Sequence, residues 1–341
     1  MAEEFEALTR AFSGLGGLGV DESSLVTAIS KWRKQPEKRG GFRSASHFFD
    51  SKGSFDRCED TFIRAIEEEF SRFKNIMVEW TMHPWERDAR WIHLVLHKDY
   101  PISVIVEIAS TRSSDELLGV RKAYHALYHH SIEEEVAYRV KENYSGVRTC
   151  TPFNYIYVPI LYKTWMNNHG PLAWGQLLVG LVSAYRYEGS RVDHEMAKSE
   201  AKILGNSIKN ASKKDPVEDQ EVIRILTTRS KAHISLTFKH YKEMFGKSID
   251  KDLVDESCLH EAAQCLESAP KYFSKVIDKA FEGAHKTGKD ALARVIVSRA
   301  DVDMEEIKKA YQEQYNAKLE DMIVKNTHGN YREALLSLVQ N

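Results

Sequence analysis

The stretch VIVEIASTR at residues 104–112 decides the fold, because the chain contains three further versions of the same phrase. Each version is an apolar run with helical spacing that closes on a basic residue. The others are LVTAISKWR at 25–33, VIRILTTR at 222–229 and ARVIVSR at 293–299. A short helical unit that recurs in this way must bury its apolar face against neighbouring copies. The sequence therefore predicts an array of four modules.

The segments between these phrases also have the pattern of helices. Apolar residues recur at helical spacing, as at Phe5, Leu8 and Phe12, and extended alternation is scarce. Helix starts are marked by Asp21, by Pro84 and by Ser113 with Ser114. Each module reads as a helix, a loop, the repeated helix, a third helix and two shorter ones, within about 70 residues. The predicted fold class is all-α.

Composition and charge limit the function classes. The 48 basic and 50 acidic side chains leave a formal charge of −2, so no global field attracts nucleic acid or an anionic bilayer. No run approaches the roughly 18 apolar residues of a spanning helix, and the amino terminus lacks a signal layout. The cysteines form no CxxC pair, which suits a reducing compartment; they are Cys58, Cys150, Cys258 and Cys265. We expect a soluble, cytoplasmic protein whose anionic partners need a local device.

Four repeats of five helices resemble the annexins, and most closely the plant-type annexins. The resemblance rests on the four helix endings, on MHPWERDA and SAPKYFSK, on KHYKEMFGKSI and KAYQEQYNAKL, and on the closing HGNYREALLSLV. It implies a curved disc whose convex face carries calcium sites that bridge to acidic phospholipids. The expected repeats are I at 1–82, II at 83–190, III at 191–268 and IV at 269–341.

Repeat I keeps the loop in which the family binds calcium. The segment LGGLGVDE at 15–22 is rich in glycine, which accepts the backbone conformations that turn carbonyls inward, and Ca²⁺ takes six to eight oxygen ligands. By the resemblance, the metal ligands are the carbonyls of Leu15, Gly17 and Gly19 with the carboxylate of Glu69. Leu18 is then the apolar tip that touches lipid, and Glu22 serves a lesser neighbouring site.

Two points in this assignment stay open. Glu67 and Glu68 are close enough to Glu69 to be confused with it, because the third-helix region is about ten residues longer than the family pattern. The loop also departs from the family signature at Gly16 and Val20. The alternative interpretation is a glycine C-cap followed by an N-cap at Asp21, with a solvated acidic helix face.

The other repeats lose this signature. The loops HKDYPIS at 97–103 and NASKKDPVEDQ at 210–220 have no glycine, and in repeat IV the matching carboxylate is Asn326. We therefore expect one strong calcium site at most and weak calcium affinity.

Repeat IV also contains GAHKTGKD at 283–290, seven positions of a phosphate-binding loop, but Asp290 stands where the magnesium-binding hydroxyl is required. Helical flanks favour a simple connector. The IRI motif at 223–225, proposed as an actin contact in plant annexins, falls on a face that looks buried. His129 and His130 are adjacent and point apart on a helix, no HExxH is present, and Cys258 with Cys265 favours core packing.

Repeat II departs most from the family. Arg112 and Arg229 lie 117 positions apart, against 70 for Arg229 and Arg299, and the excess falls at 141–176. This insertion is rich in aromatics and prolines. Three interpretations remain: a lipid-touching or partner-binding loop, a translated non-coding segment or splice variant, and a neutral surface loop.

The function implied by the resemblance is reversible, Ca²⁺-dependent binding to acidic phospholipid membranes, in calcium or stress signalling and membrane trafficking, without catalysis. The cofactor is Ca²⁺, and the protein is expected at the membrane periphery when calcium rises. Two alternatives remain: a calcium-independent helical scaffold that binds actin or another partner, and, less favoured, a GTP or ATP hydrolase using repeat IV.

Overall fold

The computed structural model describes residues 22–32, 74–98, 100–142, 171–211, 215–254, 257–282 and 286–340, and within them the regular structure is helical, without a strand. The helices of the first half are α1 Glu22–Trp32, α2 Lys74–Thr81, α3 Pro84–His97, α4 Ser103–Thr111, α5 Ser114–Tyr128, α6 Ile132–Glu142 and α7 Pro171–Val182. Those of the second half are α8 His194–Lys209, the 3₁₀ turn Pro216–Glu218, α9 Gln220–Thr228, α10 Lys231–Phe245, α11 Ile249–Asp252, α12 Cys258–Glu267, α13 Ala269–Glu282, α14 Lys286–Arg299, α15 Met304–Tyr315, α16 Leu319–Asn326 and α17 Gly329–Val339.

The prediction of an all-α fold with five helices in a repeat is confirmed. The range of repeat II holds α3 to α7, that of repeat III holds α8 to α12, and that of repeat IV holds α13 to α17. Of repeat I, α1 and α2 are described. None of the described helices is both long enough and apolar enough to cross a lipid bilayer.

The chain forms two compact units, one made of 1–87 with 270–341 and the other of 88–269. In the second unit, α4 is buried along its length, from Ser103 to Ser110, and contacts α7 and α12. In the first unit, α1 contacts α17 and α14 contacts α2. The repeated phrase therefore forms a core helix of its module, which explains why each copy is an apolar run.

The basic residue that closes the phrase anchors the end of that helix. Arg112 donates to both carboxylate oxygens of Asp88, from Nε at 2.6 Å and from Nη2 at 3.0 Å. Arg229 pairs with Glu200 on α8 at 2.7 Å. Arg299 instead pairs with Asp303 at 2.7 Å and lies 4.7 Å from the centre of the Phe273 ring.

Cations also satisfy the last carbonyls of two of these helices. Lys231 Nζ donates to the carbonyls of Thr111 and Arg112 at 2.8 and 3.1 Å. Arg186 donates to the carbonyls of Leu226 and Arg229 at 2.6 and 2.7 Å. Positive charge at a helix C-terminus is favourable because the unpaired carbonyls carry partial negative charge.

Local signals set the helix that follows. Ser113 caps α5 by accepting from the Glu116 amide, while the Glu116 carboxylate accepts from the Ser113 amide at 2.7 Å. Ser230 caps α10 in the same position by accepting from His233. At their C-termini, α5, α10 and α15 are each followed by a left-handed residue, namely His129, Gly246 and Asn316.

The helices beside the expected insertion reach into it at both ends. α6 continues to Glu142, and α7 begins at Pro171, a residue suited to a first helical turn. Residues 141–142 and 171–176 are therefore helical. The rest of the insertion, 143–170, lies outside the described residues.

Candidate functional site

The expected calcium site of repeat I lies almost entirely outside the described residues. This applies to Leu15, Gly17, Leu18, Gly19 and Glu69, and to the alternatives Glu67 and Glu68. Glu22 is the first residue of α1, but its side chain is not described. The assignment of these ligands stays a prediction.

The repeat II loop between α3 and α4 uses its backbone carbonyls for its own turns. The carbonyl of Lys98 accepts from the Tyr100 amide at 2.8 Å, and that of Pro101 accepts from Val104 at 3.2 Å. The carbonyl of Ile102 accepts from Ile105 at 2.9 Å. The described part of this loop therefore resembles a helix entry more than a cation cradle.

In repeat III, the carboxylates beside the 3₁₀ turn act as caps. Asp215 accepts from the Val217 amide at 3.0 Å, and Asp219 accepts from the Glu221 amide at 3.0 Å. Each carboxylate therefore has a backbone donor, in the manner of an N-cap.

The phosphate-loop-like segment of repeat IV lies between two helices. α13 ends at Glu282, residues 283–285 are not described, and α14 begins at Lys286. A phosphate-binding loop follows a β-strand, so the helical flank expected from the sequence is confirmed. Asp290 is buried within α14, and Asn326 at the end of α16 donates its side-chain amide to the carbonyl of Met322 at 2.9 Å.

The structure places the remaining sequence motifs in the core or beside the end of a helix. Ile223 and Ile225 are buried, as expected for the IRI motif, and Arg224 between them pairs with Glu200 and Glu221 at 2.9 Å. Cys258 and Cys265 are buried free thiols. His129 and His130 are exposed, and His129 is the left-handed residue after α5.

The structure brings together one cluster that the sequence analysis missed. His93 and His97, one turn apart on α3, meet Glu135 of α6, and one ligand atom from each lies within 4.8 Å of the other two. His97 Nε2 is 2.9 Å from Glu135 Oε1. The His-x-x-x-His spacing was a readable signal, but Glu135 is 38 residues further along the chain and only the fold places it there.

Aromatic rings surround this cluster. The His93 ring stacks on Tyr128 with centroids 3.7 Å apart and on His97 at 3.9 Å. Tyr124 donates its hydroxyl to Glu135 Oε2 at 2.5 Å. Burial, together with the nearby His97, lowers the pKa of His93 to about 4, so its imidazole is neutral near pH 7. Burial and the hydrogen bond to Glu135 raise the pKa of Tyr124, which keeps its proton.

Comparison with known proteins identifies the fold and the family. Residues 201–257 and 272–338 match the family model described as Annexin. Annexin D4 of Arabidopsis thaliana is 42% identical, with 98% of this chain and 97% of that protein covered. Annexin-like protein RJ4 of Fragaria ananassa is 32% identical, with 99% and 95% covered. The solved structure of chicken annexin V matches with a TM-score of 0.73 at 23% identity, over 99% of this chain and 95% of that one.

These matches first define a class, the all-α proteins built from four repeats of five helices. The identity to the plant relatives then goes further, and the chain belongs to the annexin family. Annexins as a family bind Ca²⁺ and, through it, phospholipid membranes. Both relatives are plant proteins, in agreement with the plant-type resemblance.

Proposed function

We propose that this annexin docks reversibly on acidic phospholipid membranes through Ca²⁺ bound mainly in repeat I. The observation that carries the proposal is the 42% identity to a plant annexin along nearly the whole chain. Calcium-dependent phospholipid binding is general in the family, and the loops of the individual repeats determine which repeat of this chain binds the ion.

The difference between the loops supports repeat I as the location of the main calcium site. In repeats II and III, the carbonyls of Lys98, Pro101 and Ile102 and the carboxylates of Asp215 and Asp219 already accept hydrogen bonds from the protein. In repeat IV, a neutral Asn326 stands at the carboxylate position. The glycine-rich segment 15–21 is followed directly by α1, which is the order that a calcium loop before the second helix of a repeat requires.

The proposed mechanism is bridging. The carbonyls of Leu15, Gly17 and Gly19 and the carboxylate of Glu69 fill part of the coordination shell of Ca²⁺. Phosphoryl oxygens of acidic lipids fill the remaining positions, so that the ion neutralises both partners. Leu18 contacts the acyl region, and Glu22 serves a weaker neighbouring ion.

One main site with few charged ligands gives weak affinity, so docking follows a rise in calcium. In this proposal the protein is cytoplasmic at rest and lies at the membrane periphery during calcium or stress signals, with a role in membrane trafficking.

The test is co-sedimentation with phosphatidylserine vesicles across a calcium titration. The parent chain is compared with Glu69→Gln, which removes the charge and the bidentate grip but keeps the size of the side chain. We expect Glu69→Gln to require at least tenfold more calcium for half-maximal pelleting, since each 1.4 kcal/mol of lost ion binding is a factor of ten.

Matched controls locate the site. Glu67→Gln and Glu68→Gln change the neighbouring carboxylates by the same chemistry, and Asn326→Ala changes the corresponding position of repeat IV. We expect all three to pellet as the parent does. A large effect of Glu67→Gln or Glu68→Gln in place of Glu69→Gln moves the ligand by one or two residues.

A calcium-independent scaffold is the second candidate, because the described loops of repeats II and III are closed by their own hydrogen bonds. Its signature is equal pelleting of the parent and Glu69→Gln in chelator, lost at high salt. That result overturns calcium bridging.

A further inference from the structure

The cluster of His93, His97 and Glu135 has the composition of a metal site that differs from a calcium loop. Its members come from two helices, α3 and α6, and each is partly accessible to solvent. The side chain of His97 is 26% exposed and that of Glu135 is 10% exposed. We propose that these three residues bind a divalent transition-metal ion of the zinc class.

The hydrogen bonds around the cluster orient its ligand atoms. His97 Nδ1 is 3.0 Å from the carbonyl oxygen of His93. Because a carbonyl can only accept, Nδ1 carries the proton of this bond, and Nε2 is the atom that faces Glu135. Tyr124 holds the other oxygen of Glu135 at 2.5 Å. Metal-binding imidazoles and carboxylates are oriented by such partners, a backbone carbonyl among them.

The other repeats show that the fold itself does not require these histidines. In each repeat one residue of the first helix contacts the repeated arginine: Asp88, Glu200 or Phe273. His93 and His97 lie five and nine positions after Asp88. The same positions are Gly205 and Lys209 in repeat III, and Asp278 and Glu282 in repeat IV.

A tyrosine recurs near the end of the third helix in repeats II, III and IV. Tyr124, Tyr241 and Tyr311 each lie five residues before the left-handed residue that follows the helix. All three donate to a carboxylate: Tyr124 to Glu135, Tyr241 to Asp252 and Tyr311 to Asp278. In repeats II and III the carboxylate lies on the fourth helix, whereas Asp278 lies on the first helix of repeat IV, at the position of His93. Among these three repeats, the pair of imidazoles is specific to repeat II.

Donor chemistry selects the ion. Two imidazole nitrogens and one carboxylate oxygen suit Zn²⁺, which then keeps a fourth position for water. Bonds of about 2.0–2.1 Å at tetrahedral angles place ligand atoms about 3.3 Å apart, so the ion draws in atoms that now lie within 4.8 Å. Calcium prefers six to eight oxygens and does not compete for this set.

Arg139 limits the affinity. Its Nε lies 3.9 Å from Glu135 Oε1, so the guanidinium opposes a cation at the same oxygen. Removing this charge with Arg139→Gln should tighten metal binding about three- to tenfold. A cluster with only a structural role gives no reason for such an increase in affinity.

The experiment is a calorimetric titration of ZnCl₂ into the full-length chain in calcium-free buffer at neutral pH. We expect one site in the parent, at least a tenfold rise in Kd for His97→Asn and for Glu135→Gln, and no change for His130→Asn. Glu135→Gln keeps an acceptor for Tyr124, and His130→Asn is the matched control on an exposed histidine of the same repeat. The site should persist in excess Ca²⁺.

Cobalt absorption of the parent chain gives a second measurement that does not depend on a variant folding. Four-coordinate Co²⁺ with nitrogen and oxygen ligands, without a thiolate charge-transfer band, supports the site. A thiolate band, or an equal loss of zinc binding in His130→Asn and His97→Asn, shows binding elsewhere and overturns the proposal. Absence of any saturable zinc binding to the folded parent does the same.

Discussion

Replacing Asp88 by Asn tests whether the buried ion pair with Arg112 fixes the end of α4. Both side chains are almost fully buried, with 7% of Arg112 and 4% of Asp88 exposed. Burial alone would lower the pKa of Arg112, but the attraction and hydrogen bonds of Asp88, together with the charges of Glu107 and Glu116, outweigh burial and raise that pKa. The guanidinium therefore stays charged, and Asp88→Asn leaves it buried without its direct ion-pair partner.

The expected loss follows from this geometry. Removing one partner of a buried ion pair costs about 3–5 kcal/mol. An Asn at this position keeps one acceptor oxygen, and Arg112 also donates to Thr111 Oγ1 at 3.2 Å, so we expect about 3 kcal/mol, the lower end of that range. For a unit of 88–269, each kcal/mol shifts Tm by about 2–4 °C. Asp88→Asn should therefore lower Tm by about 6–12 °C.

The assay is scanning calorimetry of the parent chain and two comparison variants. Glu221→Gln removes a half-exposed pair with Arg224 and should cost less than about 1 kcal/mol. The double variant Asp88→Leu with Arg112→Met replaces both charges by apolar groups and should recover most of the loss, because no buried charge remains. The reasoning is refuted by a Tm shift below about 2 °C for Asp88→Asn, or by a double variant that is no more stable than the single one.

Three further predictions concern caps, acid stability and the insertion. His129 and Gly246 both have positive φ, which favours glycine. In urea unfolding, His129→Gly should therefore stabilise the protein by about 0.5–1 kcal/mol, and Gly246→Ala should destabilise it by a similar amount. The new Cβ at Gly246 meets nothing within 4 Å, so backbone strain is the cause; changes of the same sign in the two variants contradict this reasoning. Burial disfavours the charged form of Glu200, but hydrogen bonds from Arg229 and Arg224 outweigh burial and lower its pKa. Its stabilising effect is therefore complete above the ordinary pKa of about 4.3 and is lost as the pH falls through the lowered one, so that Glu200→Gln costs about 2 kcal/mol at neutral pH and little in strong acid. Deleting 147–166 shortens the connection between α6 and α7 from 28 residues to eight and should add about 1 kcal/mol through loop closure; a fall in Tm shows instead that the segment is integrated into the core.

Helix-capping residues and the spacing of apolar residues predicted much of the fold. Pro84 begins α3, Ser113 caps α5, and α1 begins immediately after Asp21. The start of α7 was missed because PLAWGQLLVGLV is apolar on nearly every face and contains Pro, Trp and two glycines. Such a segment has no amphipathic period, and tertiary burial alone makes it a helix.

The candidate functional residues could be predicted from the sequence to a smaller extent than the helices. The ligands expected in repeat I came from the family pattern and stay a prediction, since residues 15–19 and 69 lie outside the described part of the chain. The cluster at His93, His97 and Glu135 was beyond local reasoning for another reason. A His-x-x-x-His pair on a helix has many structural uses, and its third ligand is supplied by the packing of α6 on the preceding helices.

The repeats suggest why calcium loops can be lost without loss of the fold. The described contacts that hold a module together are an arginine at the end of its core helix, a left-handed residue after its third helix and a tyrosine bound to a carboxylate, as in repeat III at Arg229, Gly246 and Tyr241. In repeat III none of these contacts uses the loop between the first two helices or the end of the first helix. In repeat IV, Tyr311 donates to Asp278, the counterpart of His93 on the first helix. The loop is therefore free to diverge, as with the capping aspartates of repeat III, and the end of the first helix differs between repeats, as with the paired imidazoles of repeat II. Variation in chemistry on a constant frame is thus a consequence of which contacts carry the stability.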